Sequence, residues 1–233
     1  MIRAENLTVK YVPTEEACAL RDVSFSVSQG ERVALIGANG AGKSTLLLAL
    51  VGVLPPAAGG ARIDGVPVEK KTLREVRGKA GLVFQNPDDQ LFMPTVYEDI
   101  AFGPRNYGLA ENTIAERAGQ ILGELGIQHL SGRMSAKLSG GEKRLAALAG
   151  VLVMHPAVLL LDEPSSFLDP RSRRRLVEIL RGLPHTIMLA THDLALARDV
   201  CGRVILLKNG RVEADGPAAD ILDNAERLEA CGL

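Results

Sequence analysis

The spacing of apolar and polar residues changes twice along the chain. Over the first thirty residues the two kinds alternate, with Ile2, Leu7, Val9 and Tyr11, then Val23, Phe25 and Val27, at strand spacing. The run Val33–Ile36 and the apolar stretch Leu46–Leu50 predict a strand-loop-helix unit over 33–52. A short strand at Arg62–Ile63, a helix at Leu73–Val76 and a strand at Ala80–Phe84 follow. From Asn86 to about Met154 helical spacing takes over, in Thr95–Ala101, Thr113–Leu125 and Gly141–Val153, without strand runs. Alternation of strand and helix then resumes with Ala157–Leu161, Arg171–Arg181, Thr186–Ala190 and a helix after Asp193. Strands at Arg203–Lys208 and Arg211–Ala214 and a polar helical tail from Pro217 complete the pattern. Strands alternating with helices of this length predict an α/β fold with a mostly parallel sheet. The flank before residue 33 reads as antiparallel, and 87–154 as an inserted α-helical subdomain between core segments 1–86 and 155–233.

Bulk properties narrow the chemistry. The 233 residues suit one domain, or one domain carrying an insertion. The 27 basic and 28 acidic residues nearly cancel, and aromatics are only 3 %, so neither a basic excess nor stacking platforms point to nucleic acid. No apolar stretch has the length of a bilayer span, and Arg3, Glu5 and Asn6 interrupt any leader-like N-terminus. Cys18, Cys201 and Cys231 are far apart and odd in number, as reduced thiols of a cytoplasmic protein would be.

The candidate chemistry starts at Gly37-Ala38-Asn39-Gly40-Ala41-Gly42-Lys43-Ser44-Thr45. Glycines between a strand and a helix let backbone N–H groups curl around phosphate oxygens, and the helix adds its positive dipole end. Lys43 can reach β- and γ-phosphates, and Ser44 can ligate Mg²⁺. Next, Val158–Leu161 ends in Asp162 and Glu163 at the carboxyl edge of the sheet, where ligands of such folds bind. Strand alternation turns these two acids opposite ways: Asp162 suits Mg²⁺, directly or through water, and Glu163 suits polarising a water. Third, Leu138-Ser139-Gly140-Gly141-Glu142 opens a helix. It reads either as a capping box between Ser139 and Glu142 or as a second anion site.

Together with Gln85, Ser166–Asp169 and Thr191-His192-Asp193, these segments resemble the ATPase subunits of ABC transporters over essentially the whole chain, in the right order. The resemblance implies a P-loop NTPase (RecA-like) core, an antiparallel β flank, an inserted helical subdomain and a head-to-tail dimer closing on two ATP molecules. It implies that Tyr11 stacks on adenine, although an isolated Tyr11 reads equally well as strand packing. Asn39, Gly40, Ala41, Gly42, Lys43, Ser44 and Thr45 would hold ATP. Gln85 would sense γ-phosphate and Mg²⁺. Ser139, Gly140 and Gly141 would meet the γ-phosphate bound mainly by the partner. Glu163 would be the catalytic carboxylate, Asp169 a dimer contact and His192 a γ-phosphate switch. Phe167 stands where the family usually has a small residue, and Glu142 replaces the commoner Gln.

The run Phe84-Gln85-Asn86-Pro87-Asp88-Asp89-Gln90-Leu91-Phe92, with Pro94-Thr95-Val96 and Ala101–Pro104, resembles ATPases of energy-coupling-factor importers of the cobalt or nickel type. That resemblance implies a second ATPase subunit (a copy or a relative), a transmembrane T component and a substrate-binding membrane protein. It places the chain peripherally on the cytoplasmic face of the cell membrane. A vitamin importer, and a soluble ABC ATPase acting on ribosomes or DNA, are the alternatives.

Overall fold

The computed structural model describes residues 1–12 and 17–233, so 13–16 of the alternating N-terminal stretch lie outside it. In chain order the elements are β1 (Ile2–Val9), β2 (Leu20–Val27), β3 (Arg32–Ile36), α1 (Lys43–Leu50), β4 (Ala58–Ile63), β5 (Val66–Pro67), α2 (Leu73–Lys79) and β6 (Ala80–Val83). There follow α3 (Val96–Asn106), α4 (Glu111–Glu124), α5 (Gly140–Leu152), β7 (Val158–Asp162), α6 (Pro170–Gly182) and β8 (Thr186–Thr191). The chain continues through α7 (Leu194–Val200), β9 (Arg203–Lys208), β10 (Arg211–Pro217), α8 (Ala218–Leu222) and α9 (Ala225–Ala230).

Two compact units result. The first comprises Met1–Leu82, Ala157–Glu163 and Pro184–Leu233. Its six-stranded sheet runs β10-β9-β3-β8-β7-β6. Around β3 the pairing is parallel to β8 and β9, and β7 is parallel to β8, while β10 returns antiparallel along β9. A second, four-stranded sheet, β2-β1-β4-β5, is antiparallel throughout. The strands of the parallel sheet are apolar on both faces, as covered parallel strands must be: β7 and β8 are buried at every position. Leu46, Leu47 and Leu50 of α1 are fully buried in one core with Leu7 and Val23 of the antiparallel sheet and Leu35, Leu160 and Met188 of the parallel one. At about 2 kcal/mol for each buried leucine, this packing fixes the helix that follows the glycine loop.

The second unit comprises Val83–Pro156 and Pro164–Leu183. Its helices α3, α4 and α5 bury Val96 and Ile100, then Ile114, Ala118 and Ile121, then Leu145 and Leu148–Leu152 except Gly150. Helix α6 clusters with this unit, although its position in sequence follows β7.

Several local differences from the sequence pattern have physical causes. The alternation through Tyr11 does not hold: β1 ends at Val9 and Tyr11 lies in a bend. Strand β4 begins at Ala58, four residues before Arg62, because it pairs antiparallel to β1 despite Gly59 and Gly60. Helix α3 runs past Ala101 to Asn106 with Pro104 inside it.

Candidate functional site

In the first unit the glycine loop is shaped by close packing. Gly42 caps α1 with a left-handed φ of 106°, and a Cβ there would meet Leu20 Cδ2 at 2.8 Å and the Ala19 carbonyl oxygen at 2.9 Å. Only glycine fits both the angle and the space. Helix α1 has no side-chain cap bond and no acidic residue in its first turn. Its N-terminal N–H groups and positive dipole end are therefore not answered by a local anion. Asn39 and Gly40 are exposed at the loop tip, while Ala41 is buried and Ser44 partly buried.

Lys43 is curled back over this loop. Its Nζ donates to the Gly37 carbonyl at 2.7 Å and the Ala38 carbonyl at 3.3 Å, and lies 3.7 Å from Glu163 Oε1. Both charged side chains are only 7 % exposed, so their attraction is little screened by water. Glu163 also accepts from Thr191 Oγ1 at 3.1 Å and from the His192 backbone N–H at 3.3 Å, and its Oε1 lies 2.9 Å from His192 Nδ1. A proton on Nδ1 would lie between the ring and the carboxylate, with Nε2 on the opposite side of the imidazole.

Strand alternation does not extend to Glu163. Strand β7 ends at Asp162, and Glu163 takes a left-handed φ of 43° while its N–H bonds the Ala190 carbonyl at 2.8 Å. Backbone geometry, rather than the period of two, aims it at Lys43 and His192. Asp162 is buried at the same strand end. Tyr11 places its hydroxyl 2.8 Å from Thr45 Oγ1, with the residue 63 % exposed. A side chain so exposed is not strand packing.

The remaining candidates lie in the second unit. Ser139 caps α5: its Oγ accepts from the Glu142 N–H at 3.4 Å, and its own N–H donates to Glu142 Oε2 at 2.8 Å, a complete capping box. The bonds to Ser139, with Arg133 nearby, hold the Glu142 carboxyl below its ordinary range. A Cβ at Gly141 would lie 2.6 Å from Ser172 Oγ, so a side chain there would displace the Ser172 hydroxyl from its bond to Asp169. Gly140 opens the helix with open space where its Cβ would be. Asp169 caps α6 by accepting from the Arg171 and Ser172 N–H groups, and hydrogen bonds from Ser172 lower its carboxyl below the usual value.

Gln85 is exposed, and its backbone carbonyl accepts from Arg144 Nη2 at 2.6 Å. Arg144 was not singled out by sequence reasoning. Its signal was an arginine opening the apolar face of α5, ahead of Leu145-Ala146-Ala147-Leu148.

A phosphate loop, a buried lysine and carboxylate, a histidine on that carboxylate and a capped Leu138–Glu142 motif occur together in one chain. The family model described as ABC transporter matches residues 20–166, which include the loop, the motif and both acids. The chain belongs to the ABC transporter family. It is an ATP-binding, ATP-hydrolysing subunit with a P-loop NTPase fold. An energy-coupling factor transporter ATP-binding protein EcfA from Methanothermobacter thermautotrophicus is 44% identical over 238 residues, spanning 100% of this chain and 76% of its own length. Among solved structures, cbiO1 from Clostridium perfringens, described as part of the ABC transporter complex cbiONQ, is 37% identical with a TM-score of 0.86, covering 97% of this chain and 91% of its own. A dimeric post-hydrolysis state of the ATP-binding cassette MJ0796, bound to ADP and Pi, is 28% identical with a TM-score of 0.82, over 94% of this chain and 99% of its own.

Proposed function

We propose that this chain powers an energy-coupling-factor importer, carrying cobalt or nickel ions, by closing onto a second ATPase subunit when ATP binds. The observation that carries the hydrolytic part is the convergence of Lys43, Thr191 and His192 on the single buried carboxylate of Glu163. The importer type is supported by Phe84–Phe92 and by the likeness to EcfA and to the cbiONQ subunit. A dimer is supported by the dimeric cassette, and its head-to-tail arrangement is what the family resemblance implies. We read the chain as a core at 1–86 and 155–233 with a helical insertion at 87–154.

In this reading the phosphates enter the loop at Asn39–Gly42, and Lys43 exchanges the Gly37 and Ala38 carbonyls for phosphate oxygens. Ser44 and Thr45 lie in the first turn of α1, where the dipole favours the same charge. The Tyr11 ring offers its open face to adenine. Ser44, Asp162 and Gln85 offer the neutral and charged oxygen donors that suit Mg²⁺, which when bound offsets developing charge on the phosphates. Glu163 orients and polarises the attacking water, and His192, steadied through Nδ1, presents Nε2 towards the γ-phosphate. Ser139, Gly140 and Gly141 contribute to the partner's ATP, for which the Ser139 hydroxyl must give up part of its capping box. Asp169 joins the contact between subunits.

The delivery point of closure is a transmembrane T component with its substrate-binding membrane protein, so the chain sits peripherally on the cytoplasmic face of the membrane. Among the described residues no helix is long and apolar enough to cross a bilayer. Affinity capture of the tagged chain from detergent-solubilised membranes tests the assignment. A multi-spanning membrane protein is the expected companion, with cobalt or nickel uptake in the reconstituted complex. Ribosomes or DNA in its place would overturn it, and a vitamin as cargo would overturn the metal.

A further inference from the structure

We propose that Arg144 and Gln90 are positioning residues for Gln85, locking the backbone around it to helix α5. The inference rests on the reading of Gln85 as a γ-phosphate sensor. Arg144 is 3 % exposed, an unusual burial for a guanidinium, whose lost hydration has to be replaced by hydrogen bonds within the protein. Its two terminal amino groups are used on consecutive backbone groups: Nη1 donates to the Phe84 carbonyl at 2.7 Å and Nη2 to the Gln85 carbonyl at 2.6 Å, while the buried Nε has no hydrogen-bond partner among the described residues. The rigid planar fork of arginine fixes both carbonyls at once, which a single-point ammonium does not.

Gln90 closes the same frame from the other side. Its Oε1 accepts from the Phe84 N–H at 3.2 Å, and its Nε2 donates to the Ala147 carbonyl at 2.8 Å. Ala147 lies three residues after Arg144, on the same side of α5. The N–H and C=O of residue 84 and the C=O of residue 85 are thus all referred to one helix. Lys143 adds an ion pair to Asp88 at 2.6 Å, so three successive parts of the 84–90 segment are held by α5 or its neighbouring backbone. Helix α5 begins at the Ser139 cap. Gln85 and Ser139 therefore ride on one rigid piece, and a displacement at Gln85 is passed to Ser139 without a hinge between them.

The test is a mutant cycle on MgATP hydrolysis by the full chain, with Gln85→Ala, Arg144→Met, Arg144→Lys, Gln90→Glu and the double variants with Gln85→Ala. Misplacing a reacting group by about 1 Å costs up to roughly a hundredfold, so Arg144→Met lowers kcat about tenfold or more with KM for ATP changed less than about twofold. Arg144→Lys recovers part of that loss. Because Arg144 acts through Gln85, adding Arg144→Met to Gln85→Ala lowers kcat no more than about twofold further. Multiplication of the two single losses in the double variant, or wild-type turnover by Arg144→Met, would overturn the inference. Wild-type turnover by Gln85→Ala would overturn the sensor reading and the inference with it. Should Arg144→Met not fold, Gln90→Glu, which removes the donor to Ala147, carries the same comparison against Gln85→Ala.

Discussion

At the scale of single residues, Glu163 and Phe167 both hold left-handed backbone angles that their residue types disfavour, the first in the proposed catalytic site and the second two residues before the proposed dimer contact Asp169. Glu163 at φ 43° is restrained from several directions: its N–H completes a sheet-like bond, and its carboxylate accepts from Thr191 and His192. The strain is repaid within the chain. Phe167 at φ 62° is different, since it is 97 % exposed and its ring contributes little to folding. A left-handed angle costs a side-chain-bearing residue about 1–2 kcal/mol. We therefore expect Phe167→Gly to leave the melting temperature equal to or above that of the parent. The same change is expected to weaken ATP-dependent self-association, read by light scattering across a concentration series. A lowered melting temperature with unchanged association would show that the ring serves the fold rather than a partner.

At the scale of elements, the starts of α1 and α5 look alike in sequence, each glycine-rich and each following an apolar residue or loop. Their structures separate them: α1 is left without a side-chain cap, whereas α5 is closed by Ser139 and Glu142. The difference sets a pH dependence. Glu142 is lowered from its ordinary value, near 4.5, in the folded chain. A depressed carboxyl stabilises the fold above its unfolded value, and that contribution is lost as pH falls through the folded value. The melting-temperature gap between parent and Glu142→Ala is thus expected to be constant at neutral pH and to shrink once pH falls below about 4.5. A gap independent of pH would show that the box is not held by the charged carboxylate.

Element type was legible wherever an amphipathic or apolar run was long, as in α4, α5, α6 and β9. Ends were less so, because the deciding forces are not local. Pro104 should stop α3, yet it is buried and the helix continues through it. Gly59-Gly60 should break a strand, yet β1 supplies the partners. Sequence could place Gln85 and Glu142 but not Arg144 on two carbonyls sixty residues upstream, because no local period encodes that bond.

At the scale of the whole molecule, the groups proposed to act on ATP fall into two sets. Lys43, Asp162, Glu163 and His192 belong to the first unit, and Gln85, Ser139 and Gly141 to the second. Motif order alone points to the members of both sets, because each member sits in a short contiguous motif. What it could not bring out is how Glu163 is aimed, which depends on a left-handed residue at the end of β7. Glu163 is proposed to drive turnover in a site completed by a second subunit. Sedimentation velocity of Glu163→Gln with MgATP, beside phosphate release, tests it most directly. We expect a stable ATP-bound dimer, negligible phosphate release, and return to the unassociated form with ADP. A monomeric variant that hydrolyses ATP at the parental rate would contradict it.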